Sequence, residues 1–380
     1  MKVLEILDCF YPNLDGPIEV AVSIARKYSA LGLGEMHLLV PDYPKRVEVE
    51  GVKIFRCRSA KSDEDYRAAL PMFDGKIRKL IKKGGYDVIH LHSPFTLGRY
   101  ALKCGRKYHI PVVFTMHTKF RDEFEKRLKN KLLVKFMMSY IMKCINGCDV
   151  VTSVSRGTVN TLAEYGYKDI DSVKVVPNAT NMRPKSADTE VTARIRKELG
   201  LEGTFAFSYI GRLAATKNID FSLRVLSKVK QRGGKFKFVL VGGGEYEKTL
   251  RSLVKKLGIE EEVVFAGAVS DKNLLASYYS AFDLLLFPSV FDNASMVILE
   301  AAANGLPTAT IKDSCSAERI TDGESGFVWD NDEEVWAQEI LKLLSEPERV
   351  RRAADGALSS VYVGWDDIVK EYSDIYKNTL

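Results

Sequence analysis

Short β-rich runs alternate with amphipathic helical segments twice over in this sequence, and the alternation breaks once, near the middle. The first series reads as strand 2–7, helix near 17–31, strands 36–40 and 52–56, helix near 66–83, strand 87–91, helix 97–108 and strand 111–116. A basic helix, strand 149–153, helix 156–165 and strand 173–176 complete it. "VVPNATNMRPKSADTE", residues 175–190, then interrupts the period with two prolines and a run of polar residues. The second series has strand 204–210, helix 217–231, strand 236–241, helix 245–257, strand 262–266, helix 271–280, strand 283–287 and helix 293–304. Parallel strands must be joined by crossovers, and helical crossovers cover both faces of the sheet they serve. The expectation is an α/β protein of two doubly wound, Rossmann-like domains, 1–180 and 181–364, with a final helix over 365–380 that crosses back to the first. A chain of 380 residues is also too long for one ordinary core. Ligands of such sheets bind outside the carboxyl ends of the strands, so the two binding edges are expected to face one another across a cleft.

Charge is divided unevenly between the halves. Residues 1–180 hold 30 Lys and Arg against 20 Asp and Glu, residues 181–380 hold 26 against 30, and the whole stands at +6. Much of the surplus lies in "KFRDEFEKRLKNKLLVKFMMSYIMK", residues 119–143, which has eight basic and three acidic residues. Its Leu132, Leu133, Phe136, Met137, Met138 and Tyr140 fall at helical spacing. Two readings fit: a core helix with a solvated basic face, or a helix lying on an anionic membrane surface, where each basic residue contributes about 1 kcal/mol. Nucleic acid is not expected as a partner, since no aromatic or Gly-rich binding motif accompanies the charge. The opening run, with Lys2 and Glu5 inside it, reads as a strand rather than a leader or a span, and no apolar run reaches the length a span requires. Six scattered cysteines form no C-x-x-C pair. Reduced thiols in a cytoplasmic protein are expected, peripheral on the inner face of the membrane under the second reading of 119–143.

The chemistry concentrates in loops at strand ends. "SVFDNASMVILEAAANGLPTA", residues 289–309, follows the buried strand "DLLLFPS" and sets Asp292 and Glu300 on either side of small and apolar residues. Read as a helix from Asn293 to Asn304 ended by Gly305 and Pro307, it separates the two acids by about 12 Å at about 1.5 Å per residue. One acid then suits the hydroxyls of a sugar and the other a ribose diol, with a diphosphate between them. The plainer alternative makes Asp292 an N-terminal cap and Glu300 a buried acid paired with a cation. "YIGRLAATKNID" places Arg212 and Lys217 at another strand end. Two cations there, beside the first-turn amides of the Glu300 helix, can neutralise a diphosphate without a metal; ordinary surface salt bridges are the alternative. "VGGGEYEK", residues 241–248, repeats a glycine-rich strand-to-helix turn, and Gly16 with Pro17 opens the first helix, whose N-terminus favours an anion. Neither G-x-G-x-x-G nor G-x-x-x-x-G-K-[ST] occurs. D-x-D spacing at Asp63–Asp65, Asp169–Asp171 and Asp330–Asp332 is of the frequency that chance allows, and none sits at a strand end beside the two cations.

Together these motifs resemble family 4 of the retaining glycosyltransferases, two-domain enzymes of the GT-B fold, over nearly the whole chain. "PSVFDNASMVILEAAANGLP" is similar to the family's pattern of Glu, seven residues, Glu and then Gly-x-Pro, except that Asp292 stands where the first Glu is usual. "GRLAATKN" resembles its Gly-Arg and Lys-Asn phosphate clamp, "PNAT" its Pro-Asn-Gly, and "DGPIE" its glycine-rich first loop with Pro17 in place of a second glycine. Residues 87–120 look like those of members that glycosylate membrane lipids or envelope polymers, and His117 matches the family histidine beside the transferred sugar. The resemblance implies transfer of a hexosyl unit from a nucleotide-diphosphate sugar, with a UDP-sugar favoured, to a membrane-lipid or envelope-glycan acceptor. It implies His117, Asp292, Asn293, Ala294 and Ser295 beside the sugar, with His117 and Asp292 catalytic. It puts Gly16, Arg212, Lys217, Met296 and Val297 on the diphosphate and Glu300 on the ribose, with no metal and no cofactor. Retention is then expected by same-face attack, in which the leaving phosphate helps deprotonate the acceptor and domain closure excludes water. The shorter Asp292 bears on sugar contacts, and hence on donor identity. A degenerate member that holds a nucleotide sugar without turnover is the rival reading, and a dehydrogenase is disfavoured by the missing glycine fingerprint.

Overall fold

The computed structural model describes residues 1–13, 15–62 and 66–380. Two compact units partition the chain, Met1–Asn178 together with Trp365–Leu380, and Ala179–Gly364.

The first unit contains β1 (Lys2–Ile6), β2 (Glu35–Pro41), β3 (Lys53–Cys57), the short antiparallel pair β4 (Ser59–Lys61) and β5 (Arg67–Ala69), β6 (Val88–Leu91), β7 (Val112–Met116), β8 (Val150–Ser153) and β9 (Lys174–Val175). Seven of these form one parallel sheet in the order β3-β2-β1-β6-β7-β8-β9. β6 and β7 are buried along their whole length, which is why "VIHL" and "VVFTM" show no polar alternation. Helix Gly16–Ala30 follows β1 and packs on the C-terminal helix Trp365–Lys377, with Lys27 Nζ 2.7 Å from Asp366 Oδ1. That last helix buries Tyr372 and Tyr376 in this unit.

Two helices depart from expectation here. The segment 66–83 is helical only from Gly75, because Pro71 lacks an N–H for a helix interior and the Asp74 side chain accepts the Lys76 N–H at 3.2 Å, starting the helix there. The basic stretch 119–143 is two helices, Phe120–Arg127 and Lys131–Ile145. Asn130 starts the second by accepting the N–H groups of Leu132 and Leu133 at 2.9 and 3.3 Å, a local bond that competes with a continuous helix.

The second unit contains β10 (Ala206–Ile210), β11 (Lys237–Val241), β12 (Val263–Gly267), β13 (Leu284–Phe287), β14 (Thr308–Ile311) and β15 (Phe327–Trp329). All pair in parallel in the order β12-β11-β10-β13-β14-β15. The sequence pattern gave no expectation for β14, β15 or the helices Thr189–Glu198, Glu333–Ser345 and Pro347–Gly356. Trp336 is fully buried, edge-on to Phe221 at 5.3 Å and to Trp329 at 5.0 Å, and so joins the Glu333–Ser345 helix to the core.

Both sheets are therefore doubly wound, and each reverses its strand order once, between β1 and β6 in the first unit and between β10 and β13 in the second. The loops leaving those strands at their carboxyl ends diverge, which makes these two places the natural ligand sites.

Candidate active site

In the second unit the reversal brings together segments far apart in the chain. β10 lies beside β13, with Phe207 opposite Leu284 and Ser208 opposite Leu285. The loop after β10 thus meets the loop after β13. Lys217 Nζ lies 2.6 Å from Asp292 Oδ1, and Asn218 Nδ2 donates to the Pro288 carbonyl at 3.1 Å. Tyr209, buried in β10, donates its hydroxyl to the Arg212 carbonyl at 3.1 Å. Burial first, and the Asp292 charge second, push its phenol up, while Arg212 pulls it down, so both charges act on one hydroxyl. Arg212 itself is exposed and makes no side-chain hydrogen bond or ion pair among the described residues. Lys217 closes the single turn Ala215–Lys217, and the helix proper starts at Ile219 after Asn218, which adopts a left-handed φ of 57°.

The glycines of "VGGGEYEK" have a structural reason. Leu213 N–H donates to the Gly243 carbonyl at 2.9 Å, and Tyr246 N–H to the Leu213 carbonyl at 3.0 Å, so the two loops run side by side. A Cβ on Gly242 would collide with the Gly211 carbonyl, and one on Gly244 with that of Leu213. Both also have positive φ, 147° and 159°. They hold the Arg212 loop in place.

The Glu300 helix differs from its expected form. It spans Met296–Ala303, with Ser295 in the cap position and no side-chain cap bond, so Asp292, Asn293 and Ala294 lie in the loop before it. Asp292 is not a cap, and the spacing of about 12 Å along one helical axis does not apply, because only half of that span is helical. Asp292 is drawn into the loop by its ion pair with Lys217. Met296 and Val297 occupy the first turn, where helix amides have no intrahelical acceptor. Ile298, Leu299 and Ala301–Ala303 face the core, whereas Glu300 is half-buried at its edge. Glu300 accepts from a phenol: Tyr279 donates its hydroxyl to Oε2 at 2.8 Å. Burial, and then the Glu300 charge, hold that tyrosine well above the ordinary phenol range.

In the first unit, His117 follows β7 and is buried, its Nε2 2.9 Å from Nδ1 of His92. His92 Nε2 lies 3.2 Å from Oε1 of Glu5, which sits in β1 opposite His90 of β6. His90 places Nδ1 2.8 Å from the Tyr376 hydroxyl and Nε2 2.7 Å from Thr115 Oγ1. Burial pushes the imidazoles of His90 and His117 well down and that of His92 to about 3, and it raises the Glu5 carboxyl. Glu5, His90 and His92 bring one possible ligand atom each within 4.8 Å of one another. Both nitrogens of each of these rings are already engaged by protein groups, so hydrogen bonding accounts for the grouping. Gly16 is the exposed first residue of its helix, with open space where a Cβ would stand. Asp8, just past β1, accepts the N–H groups of Phe95, Leu97 and Gly98 at 3.1, 2.6 and 3.3 Å and so anchors the loop that carries His92.

Sequence reasoning placed Arg212, Lys217, Asp292 and Glu300 on neighbouring loops of one sheet end but missed Tyr209, Tyr279, Asp8, Glu5 and His92. An acid inside an apolar strand, Glu5, was the one available signal. Of the D-x-D pairs, Asp332 caps its helix by accepting from Glu334 and Val335, and Asp169–Asp171 runs into the single turn Ile170–Ser172. Asp63–Asp65 lies outside the described residues.

On the helix Lys131–Ile145, Val134, Met138, Ile141 and Met142 face the core, while Leu132 and Phe136 are 78% and 64% exposed beside exposed Lys131 and Lys135. The core-helix reading therefore describes one face only. Among the described residues no helix is long and apolar enough to cross a membrane.

Residues 16–183 match the family model described as Glycosyltransferase Family 4, and residues 191–359 the one described as Glycosyl transferases group 1. The chain is 25% identical over 358 residues to the alpha-monoglucosyldiacylglycerol synthase of Streptococcus pneumoniae, covering 92% of this chain and 79% of that protein. It is 27% identical over 315 residues to the D-inositol 3-phosphate glycosyltransferase of Acidothermus cellulolyticus, covering 78% and 68%. Its fold is similar to that of Anabaena HepE crystallised with UDP-glucose, at a TM-score of 0.76 and 18% identity with all of both chains covered. The chain belongs to glycosyltransferase family 4, as a retaining hexosyltransferase of the GT-B fold that takes its sugar from a nucleotide-sugar donor.

Proposed function

We propose that this enzyme transfers a hexosyl unit from a UDP-sugar to a hydroxyl of a membrane lipid or envelope glycan, without a metal. The observation that carries the reading is Asp292. One of its oxygens meets Lys217, and the other, Oδ2, is buried with no hydrogen-bond partner among the described residues. A buried acceptor left bare costs about 1–3 kcal/mol, which a donor-sugar hydroxyl reaching Oδ2 recovers.

The donor diphosphate is read as lying on Arg212, Lys217, the amides of Met296 and Val297, and the open backbone at Gly16. As the donor C1–O bond breaks, charge builds on the departing phosphate, and these groups stabilise it in place. The acceptor oxygen bonds to C1 on the same face, and its proton passes to the departing phosphate oxygen. Arg212, Lys217 and aligned amides supply the positive potential a divalent ion would otherwise bring. Glu300, held by Tyr279, takes the ribose diol. Asn293, Ala294, Ser295 and His117 position the sugar beside Asp292. Met1–Asn178 with the C-terminal helix is read as the acceptor domain and Ala179–Gly364 as the donor domain.

A lipid acceptor fits the exposed Leu132, Leu133 and Phe136 among Lys129, Lys131 and Lys135, a face that mixes apolar contact with attraction to anionic headgroups. The S. pneumoniae relative is named for synthesis of a glycolipid, which supports the same class and a peripheral place on the cytoplasmic membrane face.

The test incubates pure protein with UDP-, GDP- and ADP-sugars in excess EDTA, with and without vesicles containing diacylglycerol or a glycosylated diacylglycerol, and follows nucleotide release and glycolipid formation. Release from a UDP-sugar that persists in EDTA and rises with the lipid acceptor is expected. No release from any nucleotide sugar, or release only on adding a divalent cation, would contradict the reading.

A further inference from the structure

We propose that Glu5 and His92 are positioning residues that fix which ring nitrogen of His117 carries its proton, so that the neutral imidazole meets the donor sugar as a single tautomer. The inference rests on the reading of His117 as the sugar-side histidine.

Two consecutive hydrogen bonds link Glu5, His92 and His117. Glu5 Oε1 lies 3.2 Å from His92 Nε2, and His92 Nδ1 lies 2.9 Å from His117 Nε2. A neutral imidazole has one N–H and one bare nitrogen, so a nitrogen-to-nitrogen contact of this length requires one ring to donate and the other to accept. Choosing the direction of one bond therefore sets the direction of the other.

Glu5 makes the choice. It is fully buried in the central strand β1, its Oε2 has no hydrogen-bond partner, and among the described residues no Lys or Arg pairs with it. An anion so placed, with one oxygen bare, is far costlier to bury than the neutral acid. The neutral acid carries its proton on Oε1 and donates it to His92 Nε2. His92 must then hold its own proton on Nδ1 and donate it to His117 Nε2, which leaves the His117 proton on Nδ1. Moving the Glu5 proton onto His92 yields an ion pair that still donates from Nδ1, so the state of His117 does not change. The chain reverses only with an ionised Glu5 facing a neutral His92, or with a neutral Glu5 protonated on Oε2, a form that leaves a buried O–H without an acceptor. Burial raises the Glu5 carboxyl and lowers the His92 imidazole, which opposes both charged forms.

The surroundings hold the rings in register. His92 stacks on His117 with centroids 5.2 Å apart and planes 24° apart, and His90 packs against His92 with centroids 4.2 Å apart. His90 is itself clamped between the Tyr376 hydroxyl and Thr115 Oγ1. Tyr376 belongs to the C-terminal helix, so that helix walls the network off from water within its own unit.

Long-range proton–nitrogen NMR on the full-length, 15N-labelled protein tests the proposal directly, because the chain has five histidines and single His→Gln variants assign their signals. The expected result is a protonated Nδ1 and a bare Nε2 in His117. Glu5→Gln keeps an N–H donor at the same place and is expected to preserve that tautomer and the transfer rate within about threefold. Glu5→Leu removes the donor and is expected to give mixed tautomers and a kcat roughly tenfold to a hundredfold lower, with donor KM little changed. A His117 protonated on Nε2 in the unaltered protein would overturn the proposal whether or not Glu5→Leu folds. So would wild-type kcat in a folded Glu5→Leu. Loss of transfer in His117→Ala is judged separately: if transfer survives there, the placement of His117 beside the sugar fails, even with the tautomer as expected.

Discussion

Where β1 meets β6, the first unit buries Glu5, His90, His92 and His117 in contact with one another and with the hydroxyls of Thr115 and Tyr376. Where β10 meets β13, the second unit leaves Arg212 exposed and holds Lys217 and Asp292 as an ion pair whose side chains are 27% and 17% exposed. Both places are strand-order reversals of the same kind of sheet, yet one is dry and kept neutral by burial while the other is charged and partly wet. The contrast follows from what each arrangement does well. Full desolvation makes charge costly and hydrogen-bond geometry strict, which suits fixing the orientation and tautomer of a ring. Partial exposure lets cations keep their charge cheaply and exchange one anionic partner for another, which suits taking up a diphosphate and releasing it.

The largest expected effect lies on the charged side. Lys217→Ala and Arg212→Ala should each lower kcat/KM for the donor by about 10²–10³, the loss typical of a removed transition-state charge stabiliser. Steady-state kinetics checks this, and near-wild-type turnover in either variant would erase the distinction drawn between the two sites.

Acidification probes the dry side. His90, His92 and His117 have folded pKa values lowered by burial, so the stability they retain above the unfolded histidine value of about 6.5 is lost as pH falls toward their folded values. Glu5 is raised, so its contribution is fully present at acid pH and is lost as pH rises above its unfolded value of about 4.3. Near pH 5 the unfolded chain therefore binds a net two more protons through these four groups, and unfolding free energy should fall by roughly 2–3 kcal/mol per pH unit on acidification. Urea titrations between pH 7 and 5 measure it; a flat profile would show that the histidines are not held neutral.

Glu300→Gln should cost about 1.5–3 kcal/mol of donor kcat/KM, the range for a charge-assisted hydrogen bond, and Tyr279→Phe only about 0.5–1.5. Equal effects would mean that Glu300 acts through its tyrosine rather than on the ribose. Smallest for the chemistry is the paired change Leu132→Ser and Phe136→Ser. It should abolish sedimentation with anionic vesicles and leave nucleotide release from the donor alone within about twofold, since both side chains are exposed. Unchanged pelleting would move the membrane contact elsewhere.

The alternating pattern made both sheets legible, because β1, β6, β7, β10 and β13 are apolar runs set off by turn residues. Arg212, Lys217, Asp292 and Glu300 were legible as residues of strand-end loops. The late start of the Glu300 helix was not, since it depends on Asp292 reaching Lys217, 75 positions away. Nor was the break at Asn130, where a local side-chain bond outweighs continuous helical spacing. The histidine network stayed hidden for a similar reason. Glu5, His92 and His117 come from three strands that are neighbours only in the sheet order, and a lone histidine at a strand end carries no mark of what it faces.

Calorimetric titration of UDP into the protein in EDTA tests the central claim most directly, because it asks only whether the cations at the end of β10 and the first turn of the Glu300 helix hold a diphosphate. Single-site binding that weakens by at least about 10²-fold in the Arg212→Ala, Lys217→Ala double variant is the predicted result, as expected for two lost charge-assisted contacts. Equal affinity in the double variant, or binding by the unaltered protein only when a divalent cation is added, would contradict it.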